Sequence, residues 1–593
     1  MHCITSQIHW SFTMATKGNG PTDPQEFINY VSQETSKMLE NFSGNGAEDM
    51  FSQFTKSWTE LATRSLQDPT LWMRAIADYQ TAQFNLWRNM LTGNSSETPV
   101  AEPERGDRRF QAEEWSTNPI YDYIKQSYLL SSKMLTQMAE SANLSDQEQN
   151  KLEFYTRQFI DAMSPTNFAA TNPEVLQQAL DTKGQSLLDG MKNLLTDFEK
   201  GRISMTDESA FTLGENLATT EGSVIFQNDV IQVIHYKPEG EQVYTRPTLI
   251  IPPSINKFYI LDLQPHNSFV KYCVEQGQNT FLVSWRNPTT EQSNLSWDDL
   301  VSEGIFEAVR VTKEVSGSDK INTVSWCVGG TLTATALAVM AKRKDTSIAS
   351  ATFLTTLTDF SDPGDLCVFI DDYQVKQLEQ KVSQAGFLNG RELATSFNML
   401  RSNDLIWSYV VNNYLKGQTP PPFDILYWNS DSTNLPAAMY TYYINKMYLE
   451  NKLVEPNALE ICGEKIDLGE IKIPCYFLST IEDHIAPWKA TFKATETFGS
   501  DIEFVLGASG HVAGVINPAS KNRRNYWVKG DQGQGADHWF ETSEKVEGSW
   551  WPNWAEWVRR RAGKKVDAPK TLGNKANKPL EAAPGSYVKV RID

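Results

Sequence analysis

A cysteine near the middle of the chain lies in the sequence SWCVGG, residues 325–330. The stretch INTVS before it has the length and composition of a strand, and GGTLTATALAVMAK after it has the pattern of a helix. A nucleophile on such a turn is held in strained backbone geometry and requires small neighbours. Gly329 meets this requirement, while Ser325 replaces the usual leading glycine. The pattern predicts that Cys327 is a nucleophile, although a buried structural cysteine would show the same pattern.

Two further residues follow later strands in the order that a catalytic triad requires. Asp483 follows the predicted strand IPCYFL, and His511 follows the predicted strand IEFVL. Nucleophile, acid and histidine in this order are typical of the α/β-hydrolase fold. Taken singly, Asp483 also suits a turn or helix-capping role, and His511 suits a structural role in a loop. His484 is an alternative base, but it is adjacent to the acid and has no loop of its own.

A thiol nucleophile suits a thioester substrate, because exchange between a thiol and a thioester is nearly balanced in free energy. His511 is expected to accept the proton of Cys327, and two N–H groups are expected to stabilise the oxyanion. One N–H is expected from Val328, directly after the nucleophile. The other is expected from the loop after TLIIPP, at Ser254 or Ile255.

The elements that position these residues are predicted from hydrophobic periodicity. Short apolar runs that begin at about residue 246 alternate with helical patterns, which predicts a mostly parallel sheet with helices on both faces. The strand pattern stops at about 355–472, and this apolar insert is expected to fold as a cap over the sheet. The catalytic domain is therefore expected at 246–557, and a C-terminal extension is expected at 558–593.

The first part of the chain has the periodicity of helices with aromatic stripes. Residues 1–92 are expected to form a helical region, 93–106 a polar linker, and 107–245 a helical domain that leads into the core. The stripes favour packing between helices over an interaction surface. The sequence from Met14 has the character of a natural start, so residues 1–13 are expected to be dispensable.

Composition and charge argue against several classes of function. The formal net charge of −19 disfavours nucleic acid as the main partner, because phosphate binding requires a basic surface. No apolar stretch has the length that a membrane span needs, and the N-terminus has no secretory pattern. The six cysteines include no C-x-x-C pair, and the seven histidines have no metal-ligand spacing. We therefore expect free thiols, a cytoplasmic location and no metal site.

Several long blocks resemble the class I polyhydroxyalkanoate synthases, from about Asp107 almost to the C-terminus. Among them are PPSINKFYILDLQPHNS, SWCVGGT, YLKGQTPPPFDILYWNSDSTNLP, EDHIAPW, SGHVAGVINP and PGSYVKV. The resemblance implies an acyltransferase that polymerises (R)-3-hydroxyacyl-CoA, with 3-hydroxybutyryl-CoA as the expected substrate, and that releases CoA. It implies that Cys327 carries the acyl group, Asp483 is the catalytic aspartate and His511 is the general base. Ser325 departs from the usual glycine of the family.

The same resemblance implies a homodimer, attachment to polyester granules and no cofactor besides the acyl-CoA substrate. Two other classes of function remain open. A thioesterase or polyester depolymerase on the same scaffold would share the triad. A granule-coat protein would fit the amphipathic N-terminal region, but the complete triad argues against it. The product formed from hydroxybutyryl-CoA separates the three: insoluble polymer, free acid or none.

Overall fold

The computed structural model of the protein describes residue 58 and residues 70–92, 99–104, 106–142 and 144–592. The chain consists of two compact units. The first comprises Met1–Thr206 and Arg401–Pro421, and the second comprises Asp207–Leu400 and Pro422–Asp593. Most of the region 1–92, part of the predicted linker and the expected start at Met14 lie outside the described residues.

The first unit is helical, as its periodicity predicts. Local sequence sets the helix ends: Pro119 occupies a first turn, Ser145 and Glu148 form a capping box, and Gly201 ends a helix in the left-handed conformation. Its described α-helices are α1 Thr70–Thr92, α2 Glu114–Thr117, α3 Pro119–Glu140, α4 Asp146–Ala162, α5 Pro173–Asp181 and α6 Gln185–Lys200.

The segment Arg401–Pro421 belongs to this first unit, which corrects its predicted assignment to the cap. Its polar side chains bond to the helices of the unit. The Ser402 hydroxyl donates to the carboxylate of Asp161 over 2.7 Å, and the Tyr414 hydroxyl donates to Asp197 over 2.8 Å. Both carboxylates are buried and need such donors. No local sequence pattern reveals these long-range pairs, so the insert could not be divided from its sequence.

The second unit is built on a large sheet that joins distant parts of the chain. The strands of this unit are β1 Gly222–Gln227, β2 Ile231–Tyr236, β3 Gln242–Tyr244, β4 Thr248–Ile251, β5 Thr280–Trp285, β6 Ile321–Trp326, β7 Ile348–Leu354, β8 Phe387–Leu388, β9 Leu435–Pro436, β10 Glu460–Ile461, β11 Glu464–Lys465, β12 Cys475–Thr480, β13 Ile502–Gly507, β14 Asn525–Val528, β15 Glu544–Glu547, β16 Lys565–Asp567 and β17 Glu581–Ala582.

Within the described residues, eleven of these strands form a sheet in the order β15-β14-β13-β12-β7-β6-β4-β5-β2-β1-β17. The central strands from β13 to β5 pair in parallel, and the strands on both flanks pair antiparallel. Parallel strands place their carboxyl ends at one edge of the sheet. The loops that carry the expected triad therefore meet at that edge.

Helices cover both faces of this sheet. Alternate residues of one strand enter different clusters: Phe281 and Val283 pack in one core, and Leu282 packs in the other. The α-helices of the second unit are α7 Phe269–Glu275, α8 Trp297–Asp299, α9 Glu307–Ser316, α10 Val328–Lys342, α11 Asp372–Ala385, α12 Gly390–Leu400, α13 Asp424–Asn429, α14 Ala437–Tyr443, α15 Trp488–Phe492, α16 Ala494–Thr497, α17 Ala536–Thr542 and α18 Trp551–Arg559.

Two π-helices, Leu300–Phe306 and Ile444–Leu449, continue α8 and α14. The predicted insert lies between β7 and β12 and supplies the elements from α11 to β11 together with the segment of the first unit. The mostly parallel sheet with helices on both faces confirms the predicted α/β-hydrolase fold. No helix in the described part of the chain is long and apolar enough to cross a membrane.

The second unit extends further in both directions than the predicted domain at 246–557. It begins at Asp207, because β1 and β2 join the sheet before the first predicted strand. The predicted extension at 558–593 is part of the fold: β16 pairs with β3, and β17 pairs with β1. Its lysines and prolines have the composition of a tail, but its strands obtain partners that are distant in sequence.

Deletion of residues 579–593 is expected to lower the thermal midpoint of the protein by several degrees and to promote aggregation. The deletion removes β17 from β1 and exposes an edge strand, and it removes Val588, which is only 1% exposed. Differential scanning calorimetry and light scattering measure both effects. Leu580→Ala is the matched control, because that side chain is 61% exposed and its backbone bond to Val224 is kept. An unchanged midpoint in the deletion variant would contradict the structural role of this segment.

Candidate active site

Cys327 lies at the junction of β6 and α10, where the backbone turns sharply. Its φ of 51° and ψ of −127° lie in a region that residues with a side chain rarely adopt. The turn is held by its backbone: Cys327 N donates to Leu354 O over 2.9 Å, and Cys327 O accepts from Gly330 N over 2.8 Å. The thiol-bearing side chain is half-buried, so the sulfur is held at the carboxyl edge of the sheet.

The residues near Cys327 are small because atoms of neighbouring segments approach them closely. A Cβ atom added to Gly329 would lie 2.5 Å from Pro252 O, and one added to Gly330 would lie 2.0 Å from Thr356 Oγ1. Ser325 is fully buried, and its hydroxyl donates to a backbone carbonyl, that of Thr352, over 3.0 Å. A serine therefore fits at the position where the family usually has glycine.

Asp483 and His511 meet on the loops after β12 and β13. His511 Nδ1 and Asp483 Oδ2 are 2.7 Å apart, and both residues are buried. The other carboxylate oxygen, Oδ1, accepts from the backbone N–H groups of Ile485 and Ala486 over 2.9 and 2.8 Å. These bonds fix the carboxylate, which in turn orients the imidazole and leaves Nε2 for the nucleophile.

The imidazole of His511 also interacts electrostatically with Cys327. Burial lowers the pKa of His511, but the nearby Asp483 carboxylate and Cys327 outweigh burial and raise it from 6.5 to about 10. Because His511 meets both Asp483 and Cys327, it is favoured over His484 as the base. The structure thus brings together the three residues that the sequence predicts.

The two expected oxyanion donors lie on the segments that flank the nucleophile. Val328 is the first residue of α10, so its N–H lies outside the hydrogen-bond ladder of that helix. Ile255 lies in the turn after β4 and is half-buried against the main core. The start of this loop touches the nucleophile turn, since Pro252 O is the atom that excludes a side chain at Gly329.

An aromatic group from the insert lies next to Cys327, and no sequence motif reveals it. Tyr443 and Tyr448 both interact electrostatically with Cys327, and Phe360 packs on Tyr448 with a centroid distance of 4.8 Å. Burial raises the pKa of both phenols, and Cys327 raises it further. Both phenols therefore stay protonated at neutral pH. Their approach depends on the fold of the insert and not on local spacing.

Metal-ligating side chains do not cluster in the part of the chain that the structure describes: no group of three or more histidine, cysteine, aspartate or glutamate residues could hold a metal ion there. The five cysteines within the described residues have free thiols. The chemistry that this arrangement supports is nucleophilic acyl transfer by Cys327, with His511 as proton carrier.

Comparison with known proteins identifies the family. Residues 106–273 match the poly-beta-hydroxybutyrate polymerase (PhaC) N-terminus, and residues 247–518 match the alpha/beta hydrolase fold. The chain is 42% identical over 580 residues to the poly(3-hydroxyalkanoate) polymerase subunit PhaC of Cupriavidus necator, and the match covers 96% of each chain. It belongs to the poly(3-hydroxyalkanoate) polymerase family.

Other polymerases of this family are similarly close. The subunit PhaC of Rhizobium meliloti is 43% identical over 548 residues, which cover 91% of this chain and 89% of that protein. Among solved structures, a monoacylglycerol lipase of Paleococcus ferrophilus covers 47% of this chain and 90% of its own, at 11% identity and a TM-score of 0.30. The polymerase relatives confirm the predicted family, while class I and the 3-hydroxybutyryl substrate stay predictions.

Gly329→Ala is expected to lower the rate of acyl transfer at Cys327 by at least about a hundredfold, since the loop after β4, which is expected to supply an oxyanion donor, must move away from the added Cβ. The rate of CoA release from an acyl-CoA, measured with a thiol reagent, checks this. Gly507→Ala is the control, because an added Cβ there has no neighbour closer than 3.5 Å. Equal rates for the two variants would contradict the packing described at the turn.

His511 is expected to keep its ring proton until about pH 10, well above its usual pKa of 6.5. The ion pair therefore stabilises the folded protein fully below pH 6.5, and this contribution is lost as the pH rises through about 10. NMR of ¹³C-labelled histidine rings measures the titration, and His511→Gln assigns the signal. Asp483→Asn is expected to lower this pKa, because it removes the carboxylate that raises it. A ring that titrates near 6.5 in the parent protein would contradict the pairing.

Proposed function

We propose that the protein polymerises (R)-3-hydroxyacyl-CoA as a class I polyhydroxyalkanoate synthase, with 3-hydroxybutyryl-CoA as its main substrate. The observation that carries this proposal is the hydrogen-bonded pair of Asp483 and His511, whose imidazole interacts electrostatically with Cys327 at the strained turn. Similarity to polymerases over nearly the whole chain supports it. We further propose that it acts as a homodimer at the surface of polyester granules in the cytoplasm, and that it needs no cofactor.

Acylation begins with attack of Cys327 Sγ on the thioester carbonyl of the substrate. His511 Nε2 holds the proton of the thiol–imidazole pair during the attack, and the carbonyl oxygen becomes an oxyanion that the N–H groups of Val328 and Ile255 stabilise. Collapse of this intermediate breaks the carbon–sulfur bond to CoA. The leaving thiolate takes the proton from His511, so acyl-Cys327 and free CoA are formed with no net change in protons.

Elongation replaces the sulfur of Cys327 by the oxygen of a 3-hydroxyl group. The hydroxyl attacks the acyl-Cys327 carbonyl, an ester bond forms, and the bond between carbon and Sγ breaks. The hydroxyl proton passes through His511 to Sγ. An alcohol is a much weaker acid than a thiol, so this step depends more on a strong base. Asp483 supplies that strength, because its carboxylate raises the basicity of His511.

A thioesterase or a polyester depolymerase would use the same residues, with water in place of the hydroxyl group. The aromatic group of Tyr443, Tyr448 and Phe360 next to Cys327 favours the polymerase. Apolar rings reduce the space for water around the acyl group, which a polymerase requires and a hydrolase does not.

Incubation with (R)-3-hydroxybutyryl-CoA is expected to yield insoluble polyester with release of CoA. Cys327→Ala is expected to abolish both, and Cys327→Ser to leave at most a trace, because an alkoxide is far harder to form and its ester is a poorer acyl carrier. Cys462→Ala is the matched control, since Cys462 is a half-buried thiol beside Asp298 and not in the triad. Free 3-hydroxybutyrate as the main product would favour the hydrolase, and full polymer yield from Cys327→Ala would overturn the proposal.

Asp483→Asn is expected to separate the two steps. A thiol is a far stronger acid than an alcohol and needs little help beyond His511, so the variant should still release a first equivalent of CoA and retain an acyl group on Cys327. Its polymer yield should fall by about a hundredfold or more, within the range that general base catalysis contributes. His511→Gln should impair both steps. The CoA burst and the polymer yield are measured in parallel, and equal loss of both in Asp483→Asn would refute this division.

A further inference from the structure

The loop that follows β4 is anchored at both ends by tryptophan side chains. Trp285 Nε1 donates to Pro252 O over 2.9 Å at the start of the loop. Trp428 Nε1 donates to Lys257 O over 2.7 Å at its end. Ile255, the proposed second oxyanion donor, lies between these two anchors. Its N–H can therefore move only as far as the anchors allow.

The side chain of Lys257 connects this loop to the end of the chain. Lys257 is only 3% exposed, and its Nζ donates to Val590 O. Residues 586–592 are termed the C-terminal peptide, and Val588 within it is buried. Burial of an ammonium group is costly unless polar partners compensate it. The carbonyl of Val590 is such a partner for Lys257, which lies two positions after Ile255.

Asp431 provides the negative charge of this cluster. It is 2% exposed and accepts from the Tyr259 hydroxyl over 3.0 Å. Arg591 Nε lies 3.8 Å from Asp431 Oδ1, and its guanidinium lies over the ring of Tyr427, 5.2 Å from the centroid. Burial lowers the pKa of Lys257, and the carboxylate of Asp431 opposes that change. One buried carboxylate thus lies 3.8 Å from the cation of the C-terminal peptide and acts electrostatically on the cation of the loop.

We propose that Lys257 and Arg591 are positioning residues that place the Ile255 N–H against the oxyanion of acyl transfer. Through Val590 O and Asp431, the C-terminal peptide fixes the end of the loop that follows Ile255. The proposal rests on the proposed function, because it assumes that Ile255 serves as an oxyanion donor. A donor must point at the developing charge, and a small displacement of it costs catalytic rate without any loss of the fold.

Three variants of matched charge test this proposal. Lys257→Met removes the buried ammonium but keeps most of the side-chain length, and Arg591→Gln removes the guanidinium. Lys589→Gln is the control, because it removes a positive charge from an exposed side chain of the same peptide. Two rates are measured for each variant. The first is the first-turnover release of CoA from (R)-3-hydroxybutyryl-CoA, and the second is the alkylation of Cys327 by iodoacetamide, which mass spectrometry monitors.

Only one of the two reactions forms an oxyanion and therefore depends on the oxyanion donors. Acylation passes through an oxyanion, whereas alkylation by iodoacetamide displaces iodide at carbon and forms none. Displacement of one donor is expected to lower the acylation rate by about tenfold or more. Outright removal of a donor lowers such a rate by about a hundredfold or more. Alkylation should stay within about twofold of the parent, because the nucleophile and base are untouched. Arg591→Lys, which keeps the charge, should recover part of the acylation rate.

A parallel fall of both rates would show general damage to the site and overturn the proposal, as would unchanged acylation in Arg591→Gln. An equal loss in Lys589→Gln would also overturn it. Should Lys257→Met fail to fold, Arg591→Gln decides alone. The parent protein is assayed in the same series, and a parent that releases no CoA would refute the proposed function itself.

Discussion

The left-handed backbone of Cys327 is the constraint on which the rest of the site depends. A side chain at this φ is strained, so the turn persists only because its surroundings leave no alternative. Leu354 O, at the end of β7, accepts a hydrogen bond from Cys327 N. Pro252 O packs against Gly329, and Thr356 packs against Gly330. The same contacts that enforce the strain bring the loop after β4 to the nucleophile, so one set of contacts positions both the sulfur and the loop that we propose to supply an oxyanion donor.

Buried charge is the second organising feature of the catalytic unit. Asp483 is compensated by two backbone N–H groups and by the ring of His511. Asp431 is compensated by Tyr259 and lies near Arg591. In both places a carboxylate holds a partner in a fixed position, because moving either group would leave a charge without its hydrogen bonds. One carboxylate orients the base, and we infer that the other, through the C-terminal peptide, steadies the oxyanion loop.

The parts of the site that the sequence predicts are those set by local pattern. Cys327, Asp483 and His511 each follow an apolar run of strand length, and parallel strands bring the loops after them to one edge. Ser325 shows the limit of the motif: serine fits because its hydroxyl finds a backbone acceptor, which only the structure reveals. The central strands and their order along the chain were therefore predictable, while the chemistry assigned to the three residues stays a prediction.

The parts that the sequence does not reveal depend on pairing over long distances. Residues 558–593 have the composition of a tail, yet β17 pairs with β1 more than three hundred residues earlier in the chain. Arg401–Pro421 lies within the insert but bonds to Asp161 and Asp197 of the first unit. Tyr443 and Tyr448 reach Cys327 through the fold of the insert alone. Such contacts have no local period, so a scan for periodicity cannot detect them.

The proposed chemistry explains why a thiol and a strong base occur together. Sulfur leaves and returns readily, so each acyl group can be stored as a thioester until a hydroxyl group arrives. The hydroxyl is the difficult partner, and its attack benefits from the raised basicity that Asp483 gives to His511. Water competes with the hydroxyl group as a nucleophile and has a similar acidity, so the base activates both alike. Selection for polymer over free acid must therefore come from the shape and polarity of the space around acyl-Cys327, where Tyr443, Tyr448 and Phe360 lie.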